Sequence, residues 1–279
     1  MIAEGEGQIS GCGFAAYQFR TVRDCAAAGP PFCHRMIFRF LIPFLLLGLL
    51  ARAGAADGKL DIKPLAPDVW LHTSWQTTAT WGLVPSNGLI VREADHVVVI
   101  DTAWGADPSR ELLAWIDREL KLPVTRLIVT HFHDDRLAGW EVFAERGTRI
   151  VASEQTLALA KVKPTPAFDL YRLPPGEKLA SGTLEILYPG PAHAPDNVVV
   201  WLPARRIIAG GCAVRSMVSG GLGNLSHASV ADWAASIARV QAAYPDARLV
   251  IPGHGDAGGP ELLAHTRELA TTAAKRKAE

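Results

Sequence analysis

The chain has 279 residues, 28 basic and 28 acidic side chains, and 49% hydrophobic against 20% charged residues. That is a globular composition, long enough for one domain with a substantial core. A formal net charge of zero argues against a nucleic-acid groove or an anionic membrane surface as partner.

In chain order, residues 1–35 show no helical or strand period and read as an upstream extension. Met36-Ile37-Phe38-Arg39 then gives a basic start, Phe40 to Ala51 an apolar run, and Ala53-Gly54-Ala55 the small residues favoured at a cleavage site. Residues 36–55 therefore read as a secretory signal, with an apolar run too short to span a bilayer comfortably. An uncleaved anchor is the alternative. The expected product is a periplasmic domain over 56–279 with no stable membrane association. Cys12, Cys25 and Cys33 all precede it, so the domain keeps only Cys212. A lone cysteine in an oxidising compartment forms no internal disulfide; it is either buried and inert or chemically employed.

Within the domain, two segments share a pattern. The strand His96–Asp101 leads to a helix with Asp107 expected as N-cap, Pro108 at its first position and Leu112, Leu113, Ile116 and Leu120 as its stripe. The strand Arg126–Val129 follows and ends at Thr130-His131. In the second segment, strands at 197–202 and 206–209 precede a helix over 229–244 with Trp233, Ile237 and Val240 on one face. The strand Arg248–Ile251 then ends at Pro252-Gly253-His254. Each half ends in an apolar strand that delivers a histidine. Between the halves lie a short helix over 153–161, a Pro-rich loop and the strand Leu184–Leu187. The pattern predicts a pseudo-duplicated α/β unit.

The sharpest motif is Thr130-His131-Phe132-His133-Asp134-Asp135-Arg136. In extended backbone, side chains at i, i+2 and i+4 project to one side, so His131, His133 and Asp135 can converge; on a helix, i and i+2 diverge. His193 lies in a turn-rich loop, Cys212 directly follows Gly210-Gly211, and His254 follows a strand. Together these make six ligand-type residues at strand ends, where α/β sites are usually built. His72, His96, His227 and His265 lack such settings and read as ordinary.

This order of residues resembles the metallo-β-lactamases, subclass B1, over essentially Leu60 to the C-terminus. Pro85-Ser86-Asn87-Gly88, Asp101-Thr102-Ala103-Trp104-Gly105, Gly210-Gly211-Cys212 and Gly221-Leu222-Gly223-Asn224-Leu225 match as well. The resemblance implies a four-layer αβ/βα sandwich of two pseudo-duplicated halves. It implies two zinc ions, one on His131, His133 and His193, the other on Asp135, Cys212 and His254. A zinc-bound hydroxide would attack the lactam carbonyl of penicillins, cephalosporins and carbapenems, giving antibiotic resistance, with Asp135 orienting it and Asn224 near the carbonyl oxygen. Arg215 matches the position of the cation that meets the substrate carboxylate. Trp75 or Trp81 would pack on the substrate from a hairpin tip, Trp104 would shape the floor, and Asp101 and Arg136 would hold ligands in place.

Arg136 separates this chain from related thioester and phosphodiester hydrolases, which resemblance says carry a histidine ligand there; Cys212 would replace that ligand as a thiolate. Another two-zinc hydrolase of thioesters or lactones, and a non-enzymatic periplasmic zinc-binding protein, remain the competing readings. The partner implied is a small β-lactam, and a monomer is expected.

Overall fold

A computed structural model describes residues 58–278; the upstream extension and the expected signal and cleavage site lie outside the described residues. Three antiparallel strands open the fold: β1 (Leu60–Ala66), β2 (Val69–Thr78) and β3 (Gly82–Arg92). Then come β4 (Val97–Ile100), α1 (Ala106–Glu119), β5 (Val124–Ile128), α2 (Asp134–Leu137), α3 (Trp140–Ala144), β6 (Arg149–Ser153), α4 (Glu154–Ala160) and β7 (Phe168–Tyr171). The second half contains β8 (Lys178–Ser181), β9 (Leu184–Leu187), β10 (Val199–Leu202), β11 (Ile207–Gly211), α5 (Val230–Ala243), β12 (Leu249–Pro252) and α6 (Glu261–Ala278).

The strands form a seven-stranded sheet, β1 to β7 in order, and a five-stranded sheet ordered β12-β11-β10-β9-β8. Period-two alternation explains how they stack. Val98, Ile100, Ile128 and Val151 face Val198, Val200, Ile207, Ala209 and Ile251 in one core between the sheets. Their neighbours Val97, Val99, Leu127 and Ile150 face outward onto Leu112, Leu113 and Ile116 of α1 and Phe143 of α3. Val199, Trp201, Ile208 and Val250 do the same for Trp233, Ile237 and Val240 of α5 and Leu262 and Leu263 of α6. The strands are therefore apolar on both faces, and the layers run helix, sheet, sheet, helix. Each fully buried Val, Leu or Ile contributes about 1.5–3 kcal/mol. The expected sandwich and its duplication are both present: β4-α1-β5 and β11-α5-β12 are each parallel strand–helix–strand units.

Two local expectations change. The first helix starts at Ala106 with Gly105 as N-cap and no side-chain cap, so Asp107 lies inside its first turn. Gly105 has φ 106°, a backbone conformation that favours glycine, and glycine carries no side chain to cap the helix. No periodic element is expected after His254 from the sequence, yet α6 runs 18 residues and packs Leu262, Leu263 and Ala270 against the α5 layer. Among the described residues, no helix is long and apolar enough to cross a membrane.

Candidate metal centre

The six ligand-type residues meet at one edge of the sandwich, mostly past the C-terminal ends of strands. His131 and His133 follow β5, Cys212 follows β11, His254 follows β12, and His193 lies in the loop before β10. The backbone is extended only as far as His133 (φ −68°, ψ 154°), which caps α2; Asp135 therefore sits in a helical first turn rather than in extended chain. It still reaches the cluster.

Three nitrogens converge first. His133 Nδ1 is 3.1 Å from His131 Nε2 and 3.0 Å from His193 Nε2. A second trio adjoins them: Cys212 Sγ lies 3.4 Å from Asp135 Oδ2 and 3.2 Å from His254 Nε2, with His254 Nε2 3.5 Å from Asp135 Oδ2. Donor atoms of His131, Asp135 and Cys212 also lie within 4.8 Å of one another, so the trios are contiguous.

Their electrostatics fit cations. Burial lowers the pKa of His131, His133 and His254, and brings His193 down to about 3. All four rings are thus neutral near pH 7, and ring nitrogens of His131, His133 and His193 turn toward one another while that of His254 turns toward Cys212 and Asp135, as ligands for a soft or borderline metal do. His254 donates from Nδ1 to the Pro85 carbonyl at 2.6 Å, which leaves Nε2 as its free ligand atom. Burial also pushes the Cys212 thiol up, with Arg136 opposing; a coordinated thiol is deprotonated outright. Burial alone would raise the Asp135 carboxyl, but Arg136 and then His254 hold it well below the usual carboxylate range.

Arg136 is the fully buried cation behind this trio. Its Nη2 lies 2.9 Å from Asp135 Oδ2 and donates to Cys212 Sγ at 3.1 Å and the Gly253 carbonyl at 2.8 Å. Its Nη1 donates to the Asn87 carbonyl and to Asp101 Oδ2 at 3.4 Å. Asp101, at φ 62°, accepts from Thr130 N at 2.8 Å and from the Thr130 hydroxyl at 2.9 Å. Burial raises its carboxyl to about 6, although Arg136 opposes this. Both residues therefore brace the ligand-bearing loops.

A cavity of about 850 Å³ opens over the cluster. Trp81, Trp104, Asn224 and Arg215 line it, together with His133, Asp135, His193 and His254. Trp81 sits at the β2–β3 tip and is 59% exposed. Trp75 is the exception. It pairs with Pro85 within the β2–β3 ladder and does not line the cavity, because the strands run on to Thr78 and Gly82 before they turn. Of the two tryptophans, Trp81 alone stands at the tip and lines the cavity. Asn224 Oδ1 accepts from Ser226 N at 3.0 Å, which leaves its Nδ2 as a donor. Arg215 Nε donates to the Gly221 carbonyl at 3.2 Å. A Cβ on Gly223 (φ 74°) would stand 3.1 Å from Arg215 Nη1, so glycine lets the loop close over the guanidinium.

Two contributors escaped the sequence reading. Asn87 donates from Nδ2 to the carbonyls of Pro252 and Gly255 and so fixes the His254 loop. His227, read as ordinary, has its Nδ1 2.9 Å from His133 Nε2 and lines the cavity. The isolated sequence offered no signal for it beyond its being three residues past Asn224.

Residues 81–254 match the Metallo-beta-lactamase superfamily. The chain belongs to that superfamily. It is 38% identical over 214 residues to the Bacillus cereus metallo-beta-lactamase type 2, covering 76% of this chain and 83% of that protein. The Bacteroides fragilis metallo-beta-lactamase type 2 is 35% identical, at 75% and 85% coverage. The solved metallo-beta-lactamase from Pontibacter korlensis is 41% identical with a TM-score of 0.70, covering 76% of this chain and 99% of that one. Another, from Pseudomonas aeruginosa and solved in a mono-zinc form, is 34% identical with a TM-score of 0.73, covering 78% and 97%. The superfamily uses zinc, and the His/Asp/Cys donor set found here suits it.

Proposed function

We propose that this metallo-β-lactamase superfamily member is an exported subclass B1 enzyme that hydrolyses the amide bond of penicillins, cephalosporins and carbapenems, and so confers antibiotic resistance. The observation that carries the reading is the trio of Asp135, Cys212 and His254 with Arg136 buried behind it. Arg136 is spent on structure and cannot ligate, and the thiol takes the third place. The β-lactamase names of the relatives at 33–41% identity support the same substrate.

Two zinc ions are proposed, His131, His133 and His193 holding one and Asp135, Cys212 and His254 the other. Each trio leaves coordination positions for water and substrate. Bound zinc supplies Lewis acidity and lowers the pKa of water enough to yield a nucleophile near neutral pH.

The protein's own side chains then supply the rest. Arg215 offers the substrate carboxylate a charge-assisted hydrogen bond. Asn224 Nδ2, fixed by the Ser226 amide on its other end, donates toward the lactam carbonyl oxygen where negative charge develops. Asp135 accepts a hydrogen bond from the attacking water and so orients it. Trp81 and Trp104 cover apolar parts of the substrate and exclude water. Export to the periplasm rests on the basic start, apolar run and Ala53-Gly54-Ala55 of residues 36–55.

The test is a turnover panel on purified protein: nitrocefin, imipenem, lactoylglutathione and a simple lactone, each with zinc and with chelator. The β-lactams should turn over with zinc and stop with chelator. Thioester or lactone turnover without β-lactam hydrolysis would assign the site to another reaction.

A further inference from the structure

His133 has two ring nitrogens with different duties. Nδ1 turns into the three-histidine cluster. Nε2 turns the other way, onto His227 Nδ1 at 2.9 Å. A neutral imidazole carries one proton. If Nδ1 gives its lone pair to zinc, the proton must sit on Nε2, and Nε2–H donates to His227 Nδ1. That in turn places the His227 proton on its own Nε2.

The contact is held from several sides. The two rings are 5.1 Å apart at 46°, and the Phe132 ring lies 4.3 Å from His133 and 5.0 Å from His227. Ser226 Oγ lies 3.3 Å from His227 Nδ1. Two residues past His227, Ser229 N donates to the Ala192 carbonyl at 2.8 Å, which pins the loop beside His193. The arrangement is thus anchored to the same backbone that carries another ligand.

Metal-bound histidines commonly donate their second N–H to a carboxylate, a carbonyl or water, and such partners set ring orientation and ligand basicity. Here the partner is an imidazole rather than a carboxylate. It can orient the ring, but it adds no negative charge beside the three-histidine site. We infer that His227 is a positioning residue for His133, an imidazole partner that fixes the ring and sets a moderate zinc affinity at the three-histidine site. This rests on the proposed two-zinc site.

The test is zinc affinity, read by competition with a chromogenic chelator on wild type, His227→Ala, His227→Asn and His227→Asp. Cobalt substitution reports the second site separately through the Cys212 thiolate-to-cobalt band. Loss of the acceptor in His227→Ala should weaken zinc at the three-histidine site about 10- to 100-fold. His227→Asn, whose Oδ1 can accept the same proton, should recover most of that loss. His227→Asp should bind at least as tightly as wild type, because it adds the charge the native partner lacks. The thiolate band should keep its intensity in all four proteins. His227 is exposed, so the variants should share the wild-type urea midpoint in chelator. His227→Ala binding zinc within twofold of wild type would overturn the inference and leave the two-zinc reading standing. Wild type failing to bind zinc on the histidine trio would overturn both.

Discussion

Replacing Arg136 by methionine removes the buried guanidinium that faces both Asp101 and Asp135. Arg136 is fully buried, and its guanidinium reaches Asp101, Asp135, Cys212 and the carbonyls of Asn87 and Gly253. Methionine fills similar space but donates nothing, so two buried carboxylates lose their partner together. Breaking one side of a buried ion pair costs about 3–5 kcal/mol. That is a large share of the roughly 5–15 kcal/mol that holds a domain together. The assay is urea unfolding of the metal-free protein in chelator at pH 7, read by near-UV and far-UV signals together. Arg136→Met should lower stability by about 3–5 kcal/mol. Arg136→Lys, which keeps the charge but loses the planar fork, should fall between it and wild type. Adding Asp101→Asn to the methionine variant should recover at least about 1 kcal/mol as a coupling term, since the neutral amide no longer needs the cation. High salt should not erase the difference, because the pair is shielded from solvent ions. A methionine variant within about 1 kcal/mol of wild type would refute the buried-network argument.

Other perturbations separate the remaining roles. Cys212→Ser should strongly weaken the second zinc and cut carbapenem turnover; metal analysis alongside imipenem hydrolysis checks this, and unchanged activity at low zinc would contradict it. Arg215→Ala should mainly raise KM for β-lactams, by about 10- to 100-fold, because a hydrogen bond to a charged group contributes about 1.5–3 kcal/mol. Steady-state kinetics decide the point, and a fall in kcat alone would give Arg215 another role. His72 is buried beside Gly88, and burial lowers its pKa to about 4 against the opposing pull of the Ile100 and Asp101 backbone. Because the folded pKa lies below the unfolded one, this stability is present above about pH 6.5 and is lost as pH falls toward 4. Between pH 7 and pH 5, metal-free wild type should therefore lose about 2 kcal/mol more than His72→Gln. Parallel slopes for the two proteins in urea titrations at those pH values would refute the assignment.

The sequence made the layered fold legible because strands such as Val97–Ile100 and Val199–Leu202 are apolar on both faces and alternate with helices. It made the ligands legible because His-x-His-x-Asp and the strand-end His254 are local patterns. What it hid is long-range. The Gly221–Ser229 loop carries no period, and its path is set by bonds such as Ser229 N to Ala192 O, so His227 could not be placed beside His133 from spacing. Trp75 and Trp81 are equally aromatic in the sequence; only the ten-residue register of β2 on β3 shows which one reaches the tip. Asp107 looked like a helix cap because Asp-Pro commonly is one, but the positive φ of Gly105 starts the helix earlier.

In the proposed function, six side chains form one catalytic centre for two zinc ions. Zinc titration into the metal-free protein, with imipenem hydrolysis recorded at each addition, tests this most directly. Hydrolysis should be absent in chelator, rise with zinc, and saturate at two equivalents per chain. A protein that binds zinc to saturation without hydrolysing any β-lactam would contradict the proposed function, and so would one that is fully active in chelator.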